Sequence, residues 1–181
     1  MTNLSGRTVF VNGIPALYET LTKAGREEEA KKMVKDFLSQ TFASDLDAKV
    51  ERFRQIPTGI FIADEPYFKI FWEFNQIYIA GLYYATVTTA GVLCERVCLD
   101  KLIKKKIKHK KGIRFVKMIA LIEDNKLAKN DSITEMAKIR KMRNKYVHPS
   151  MTEVDNQQDA LEMVKSIAIV LRNECSATPT P

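Results

Sequence analysis

This sequence of 181 residues contains few glycines, prolines and cysteines. Seven glycines and six prolines are too few for the turns of an all-β protein, whereas Lys, Glu, Ala, Leu and Ile fill helices. None of the three cysteines forms a CxxC pair, and no nearby histidine completes a zinc set with Cys94 and Cys98. We therefore expect an all-α protein with cysteines packed in its core, and regard a metal site or disulfide as the weaker alternative.

Acidic residues are absent from the most basic part of the chain, residues 101–114, KLIKKKIKHKKGIR. This segment contributes +8 to a formal net charge of +7, so the remaining residues together carry −1. A second basic cluster without an acid lies between Lys138 and Lys145. Such concentration indicates a polyanionic partner, either nucleic acid or an anionic membrane surface, although a solvated helix end with no partner has the same pattern.

Long apolar runs are also rare. Residues 77–94, IYIAGLYYATVTTAGVLC, are 18 residues without a charge, the lower limit for a membrane span. Threonines, tyrosines and glycines dilute its hydrophobicity, and Gly81 can divide it between two helices. The start, MTNLSGRTVF, has no charged region followed by an apolar stretch, so it indicates no signal peptide. We expect a cytoplasmic protein that does not enter the membrane, with membrane insertion as the alternative.

Helical periodicity runs through most of the chain. A long helix is predicted from Leu82 towards Lys108, with a buried stripe in which Gly91 allows a close neighbour. Ser132 and Glu135 have the spacing of a capping box, and Asp155 can open the last helix. We expect an antiparallel helical bundle of about four to five core helices plus N-terminal helices. The predicted divisions are a helical extension over 1–60, the bundle over 61–175 and a disordered tail over 176–181.

The stretch KMRNKYVHP, residues 141–149, contains the best candidate for chemistry. Pro149 biases His148 away from helical geometry, so its ring can leave the helix end and share a cleft with Arg143. A histidine exchanges protons near neutral pH, and an arginine offers a permanent forked cation for a phosphate. Asn144 can orient either partner. The alternative is structural, with Arg143 as a surface charge and His148 capping the last carbonyls.

The order ITEMAKIRKMRNKYVHP resembles the HEPN superfamily of all-helical domains over roughly residues 64–173. Before it come the segments ALIEDNKLAKND and YYATVTTAGVLCERVCLDKLI. The family signature is an arginine, often followed by a polar residue, and a histidine a few positions later. Here Arg143, Asn144 and His148 match it.

The resemblance implies a metal-independent endoribonuclease without cofactors. It also implies a homodimer in which two motifs meet and the 2′-hydroxyl of RNA attacks the adjacent phosphate. Some members of the family are toxins or defence effectors held in check by an antitoxin or regulatory protein. Others are non-catalytic modules that bind RNA, nucleotides or proteins, and this second function remains open.

Two further sets of residues complete the predicted site. Glu95, beside the small-residue stripe, is expected to pair with Arg143 or Arg96 and position the arginine, or else to be a structural ion pair or an exposed side chain. Tyr146 is expected to pack rather than to stack on a base. The predicted RNA-binding residues are Lys104, Lys105, Lys106, Lys108, Lys110, Lys111, Lys141 and Lys145.

Overall fold

The computed structural model describes residues 17–43, 45–60, 62, 65–147 and 156–175, and within them all regular structure is helical. The predicted all-α class is therefore confirmed. Residues 17–23 are helical. They are followed by α1 (Glu27–Ala43), α2 (Leu46–Arg54), α3 (Glu65–Ile79), α4 (Tyr83–Lys104), α5 (Phe115–Asp124), α6 (Asn130–Val147) and α7 (Gln157–Glu174). The predicted tail over 176–181 lies outside these ranges.

The chain forms two compact units, which divide between Ala48 and Lys49. In the first unit, the acidic first turn of α1 complements the positive end of its helix dipole. The second unit begins earlier than residue 60 because the residues after Lys49 bond to the bundle. The Arg52 guanidinium donates to the carbonyl of Ile79 (2.7 Å), and the Tyr78 hydroxyl donates to Gln55 Oε1 (2.6 Å).

Helix α4 is the centre of the second unit, because it packs against α3, α5, α6 and α7. Its predicted stripe is buried at Val87, Gly91, Cys94, Cys98 and Leu102, whereas Tyr84, which the sequence places in the same stripe, is 49% exposed. The cysteines are free thiols, and those at 94 and 98 are fully buried, so the prediction of core packing is confirmed. The hydrophobic core of the second unit therefore packs against the face of α4 that carries these residues.

The turn between α3 and α4 divides the long uncharged run, as predicted. Gly81 adopts φ +77°, a left-handed conformation that favours glycine, and α4 begins two residues later. In the described part of the chain, no helix has the length and apolar character needed to cross a membrane. Helix α4 ends at Lys104 rather than Lys108, where closely spaced lysines repel one another and Lys106 turns to φ 55°.

Side-chain contacts fix the directions of the helices. Cys98 Sγ donates to Met136 Sδ at 3.6 Å, and the rings of Tyr84 and Tyr146 lie 6.1 Å apart near the opposite end. Helix α6 is therefore antiparallel to α4, and the expected antiparallel arrangement is found. One end of the bundle consequently combines the start of α4 with the end of α6.

The start of α6 differs from its predicted form. The helix begins at Asn130, so Ser132 is already inside the first turn, where its side chain is buried. Asn173 Nδ2 donates to Ser132 Oγ (3.2 Å), and the predicted capping box with Glu135 is wrong. At the start of α7, Asn156 caps the helix, one residue after the predicted position, by accepting from the backbone N–H of Gln158 at 2.7 Å.

Candidate functional site

Arg143 occupies the core-facing row of α6. The buried residues of this helix are Ser132, Met136, Ile139 and Tyr146, at spacings of four, three and seven, which place them on one helix face. Arg143 follows Ile139 by four positions and precedes Tyr146 by three, so it continues this row. Its side chain is half-buried, unlike that of a charge placed only on the surface.

Gly91 on α4 makes room for the stem of Arg143. A Cβ atom at position 91 would lie 2.4 Å from Arg143 Cγ, closer than non-bonded carbon atoms approach, and 3.0 Å from Arg143 Cβ, which is also tighter than an ordinary contact. The predicted close neighbour of this glycine is thus identified as Arg143. Because the stem lies against a helix backbone, the position of the arginine is fixed by packing as well as by its charge.

Asn144 lies beside the guanidinium group. Arg143 Nη1 donates to Asn144 Oδ1 at 3.4 Å, a long hydrogen bond, and both side chains are half-buried. Helix α6 is regular through Val147, the residue before His148. His148 and Pro149 lie outside the described residues, so the structure positions the arginine and asparagine of the predicted motif but does not describe its histidine.

The residues next to Arg143 are tied to α7. Asp159 Oδ2 accepts from Lys145 Nζ at 2.8 Å and from the Tyr146 hydroxyl at 3.1 Å, and its side chain is 15% exposed. Tyr146 is fully buried, which confirms its predicted packing role. Lys145, a predicted RNA contact, is therefore paired with a carboxylate that sequence reasoning did not identify. An acid in a helix's first turn is too common to have signalled this role.

Glu95 lies one helical turn after Gly91 on the same side of α4 and is half-buried. Among the residues that the structure describes, no ion pair joins its carboxylate to Arg143 or Arg96. Glu95 therefore lies on the same side of α4 as Gly91, and it does not form the predicted pair.

The predicted RNA-binding lysines fall into two groups. Lys141 is exposed on α6, two residues before Arg143, and Lys145 lies two residues after it. The lysines between Lys104 and Lys111 are also exposed, but they begin thirteen residues beyond Gly91, which corresponds to about 20 Å along the helix axis. The larger basic group therefore begins at the C-terminal end of α4, whereas Arg143 contacts the first half of that helix.

No cluster of three or more His, Cys, Asp or Glu side chains with the arrangement of a metal site occurs in the described ranges.

The chain matches no protein-family model, and neither curated proteins nor solved structures provide a match. The HEPN resemblance accordingly stays a prediction from the sequence.

Proposed function

We propose that this protein is a metal-independent endoribonuclease of HEPN type. The observation that carries the proposal is the placement of Arg143 in the packed row of α6, with its stem on Gly91 and its guanidinium beside Asn144. A charged residue in a largely apolar row contributes little to stability, because the energy lost on desolvation offsets what pairing gains. An arginine that is half-buried, with its stem held by packing, suits the binding of a phosphate group.

The proposed reaction uses the 2′-hydroxyl of RNA as its own nucleophile. His148 accepts the hydroxyl proton, the 2′ oxygen bonds to the adjacent phosphorus, and the bond from phosphorus to the 5′ oxygen breaks. The leaving oxygen takes up a proton, so the products are a 2′,3′-cyclic phosphate and a 5′-hydroxyl. Arg143 stabilises the negative charge of the transition state, and acid-base catalysis by a histidine typically supplies about 10²- to 10⁴-fold.

A homodimer would bring two such motifs together. Exposed apolar side chains next to the site support this part of the proposal: Val92 adjoins Gly91 and is 60% exposed, and Val147 follows Tyr146 and is 37% exposed. A contiguous apolar patch near a site is typical of an interaction face, and we expect these two side chains to belong to one. If the dimer acts as a toxin or defence effector, the same face is available to an antitoxin or regulatory protein.

The test is incubation of the purified protein with mixed RNA in EDTA, followed by analysis of the fragment ends. We expect the wild type to leave cyclic phosphate ends and His148→Ala to lose cleavage while keeping its circular dichroism spectrum and melting temperature. Lys165→Ala, which removes an exposed basic side chain on α7, is the matched control and should cleave normally. Cleavage by His148→Ala at the wild-type rate would overturn the proposed role of the histidine.

The second candidate function is a non-catalytic RNA-binding module. Six exposed lysines between Lys104 and Lys111 favour it, since in the part of the chain that the structure describes none of them forms an ion pair. Binding through these groups should weaken steeply with salt, with a slope of log K against log salt of roughly −0.7 per neutralised phosphate of a single strand. RNA affinity that does not change between low and high salt would contradict this function.

A further inference from the structure

A cavity of about 630 Å³ lies beside the start of α5. Such a volume is in the range of small-molecule sites. The cavity is separate from Arg143, because its walls come from the loop after α4 and from the outer side of α5. Its lining residues are His109, Lys110, Lys111, Gly112, Ile113, Arg114, Lys117, Ala120 and Leu121.

The cavity has an uncompensated positive charge. Its lining includes Lys110, Lys111, Arg114 and Lys117 but no acidic residue. Throughout the described ranges none of these four cations is paired with a carboxylate, unlike Lys101. The first backbone N–H groups of α5 add partial positive charge at the same place, since the helix begins directly after Arg114. An anionic ligand would therefore be attracted from several directions.

The remaining lining is apolar and partly fixed. Ile113 and Leu121 are half-buried and pack against the hydrophobic core. His109 Nδ1 lies 2.8 Å from the carbonyl oxygen of Ile107, which holds the ring in place. The cavity thus combines a cationic wall with apolar groups and a flat ring. A ligand that carries both phosphate and a flat, weakly polar group would satisfy both parts.

We propose that this cavity binds a nucleoside phosphate, with the phosphate against the lysines and Arg114 and the base against Ile113 and Leu121. Two sources have this chemistry: a nucleotide within RNA, and a free nucleotide. The choice of RNA rests on the proposed function, because one strand would then be held both at this cavity and at Arg143.

The test compares two substitutions that each add a carboxylate. Ala120→Glu places it in the lining, and Gln76→Glu, at an exposed position on α3, places it outside the lining. Both are made in a His148→Ala background, so that RNA is not cut, and binding of a fluorescein-labelled single-stranded RNA is measured by fluorescence anisotropy. We expect Ala120→Glu to weaken binding about tenfold or more and Gln76→Glu to weaken it less than about threefold.

Equal weakening by the two substitutions, or no binding of RNA at all, would overturn the proposal. Competition with ATP distinguishes the two sources. If ATP displaces the RNA, the cavity also binds free nucleotides; if ATP does not displace it, the cavity binds nucleotides only within RNA. If Ala120→Glu fails to fold, the comparison is repeated by removing charge. Lys117→Gln removes a charge from the lining, and Lys126→Gln removes one outside the lining. Because cleavage is not measured, a protein that binds RNA in this pattern but never cuts it would support the cavity and contradict the nuclease.

Discussion

Arg143 rests directly on the backbone of Gly91, with its Cγ atom 2.4 Å from the point that a Cβ at position 91 would occupy. The two residues are 52 positions apart in the sequence and belong to antiparallel helices. Neither residue alone accounts for the contact, because the arginine stem needs the missing side chain and the glycine lies in a regular helix where alanine would be intrinsically favoured. A substitution at one of the two positions should therefore change the free energy of unfolding by an amount that depends on the residue at the other.

Gly91→Ala should destabilise the fold and impair any activity that depends on Arg143. Alanine favours a helix over glycine by about 1 kcal/mol, but overpacking against the arginine stem should cost about 1–3 kcal/mol. Urea unfolding measures the loss of stability, and RNA cleavage measures the loss of activity. In an Arg143→Ala background the Cγ contact is gone, so the same substitution should become neutral or stabilising. Equal destabilisation in both backgrounds would show that the contact with Arg143 is not responsible.

Glu174 should contribute far more to stability than other acidic residues in ion pairs. Its side chain is 4% exposed, and its carboxylate accepts from Lys101 Nζ at 2.5 Å and from the backbone N–H of Lys129 at 3.1 Å. Glu174→Gln should lower the free energy of unfolding by about 2–3 kcal/mol. Glu162→Gln is the control, since its pair with Lys138 is 3.5 Å long and well exposed, and should cost less than about 1 kcal/mol. Similar losses for both would contradict the role of burial.

The stability of the protein should fall at alkaline pH through Tyr67. Burial, and then the hydrogen bond to Asp100 Oδ2 (2.5 Å), raise the pKa of Tyr67 above its ordinary value near 10. Below pH 10 the phenol is protonated in both states, and above it the unfolded chain loses the proton first, so stability falls as pH rises. The slope for one such group is at most about 1.4 kcal/mol per pH unit. Tyr67→Phe should reduce the slope above pH 10, and an unchanged slope would contradict the assignment.

Ser166 and Ser132 should respond in opposite ways to the same substitution. Both are buried, but Ser166 Oγ has no hydrogen-bond partner among the described residues, whereas Ser132 Oγ accepts from Asn173. Ser166→Ala should stabilise the protein by about 1 kcal/mol because it removes an unsatisfied hydroxyl and improves helix propensity. Ser132→Ala should destabilise it by about 1 kcal/mol. Thermal unfolding of the two variants checks this, and a loss in both would indicate a partner for Ser166.

Features encoded by neighbouring residues were predictable from the sequence. The turn at Gly81 needs only a glycine between two helical patterns, and the stripe along α4 follows from the spacing of small and apolar residues. The presence of a close neighbour at Gly91 was predictable for the same reason. The sequence predicts a later end of α4 than the structure has, because helical periodicity takes no account of the repulsion among adjacent lysines.

Features that depend on distant partners were not predictable. The spacing of Ser132 and Glu135 is that of a capping box, but Asn173, 41 residues away, binds the serine from α7 and the helix begins earlier. In the same way, nothing near Lys145 in the sequence indicates that Asp159 would bind it. The pattern of the motif predicts which residues share the helix end, while their partners are decided by how the helices pack.

The uneven charge of the chain has a kinetic consequence. Residues 101–114, from the last turn of α4 to the start of α5, hold eight positive charges, and the rest of the chain is almost neutral in net charge. If RNA is the partner, as we propose, this segment would attract the strand before contact, and capture would be fast and sensitive to ionic strength. Placement of the strand at Arg143 would then be a separate, slower step.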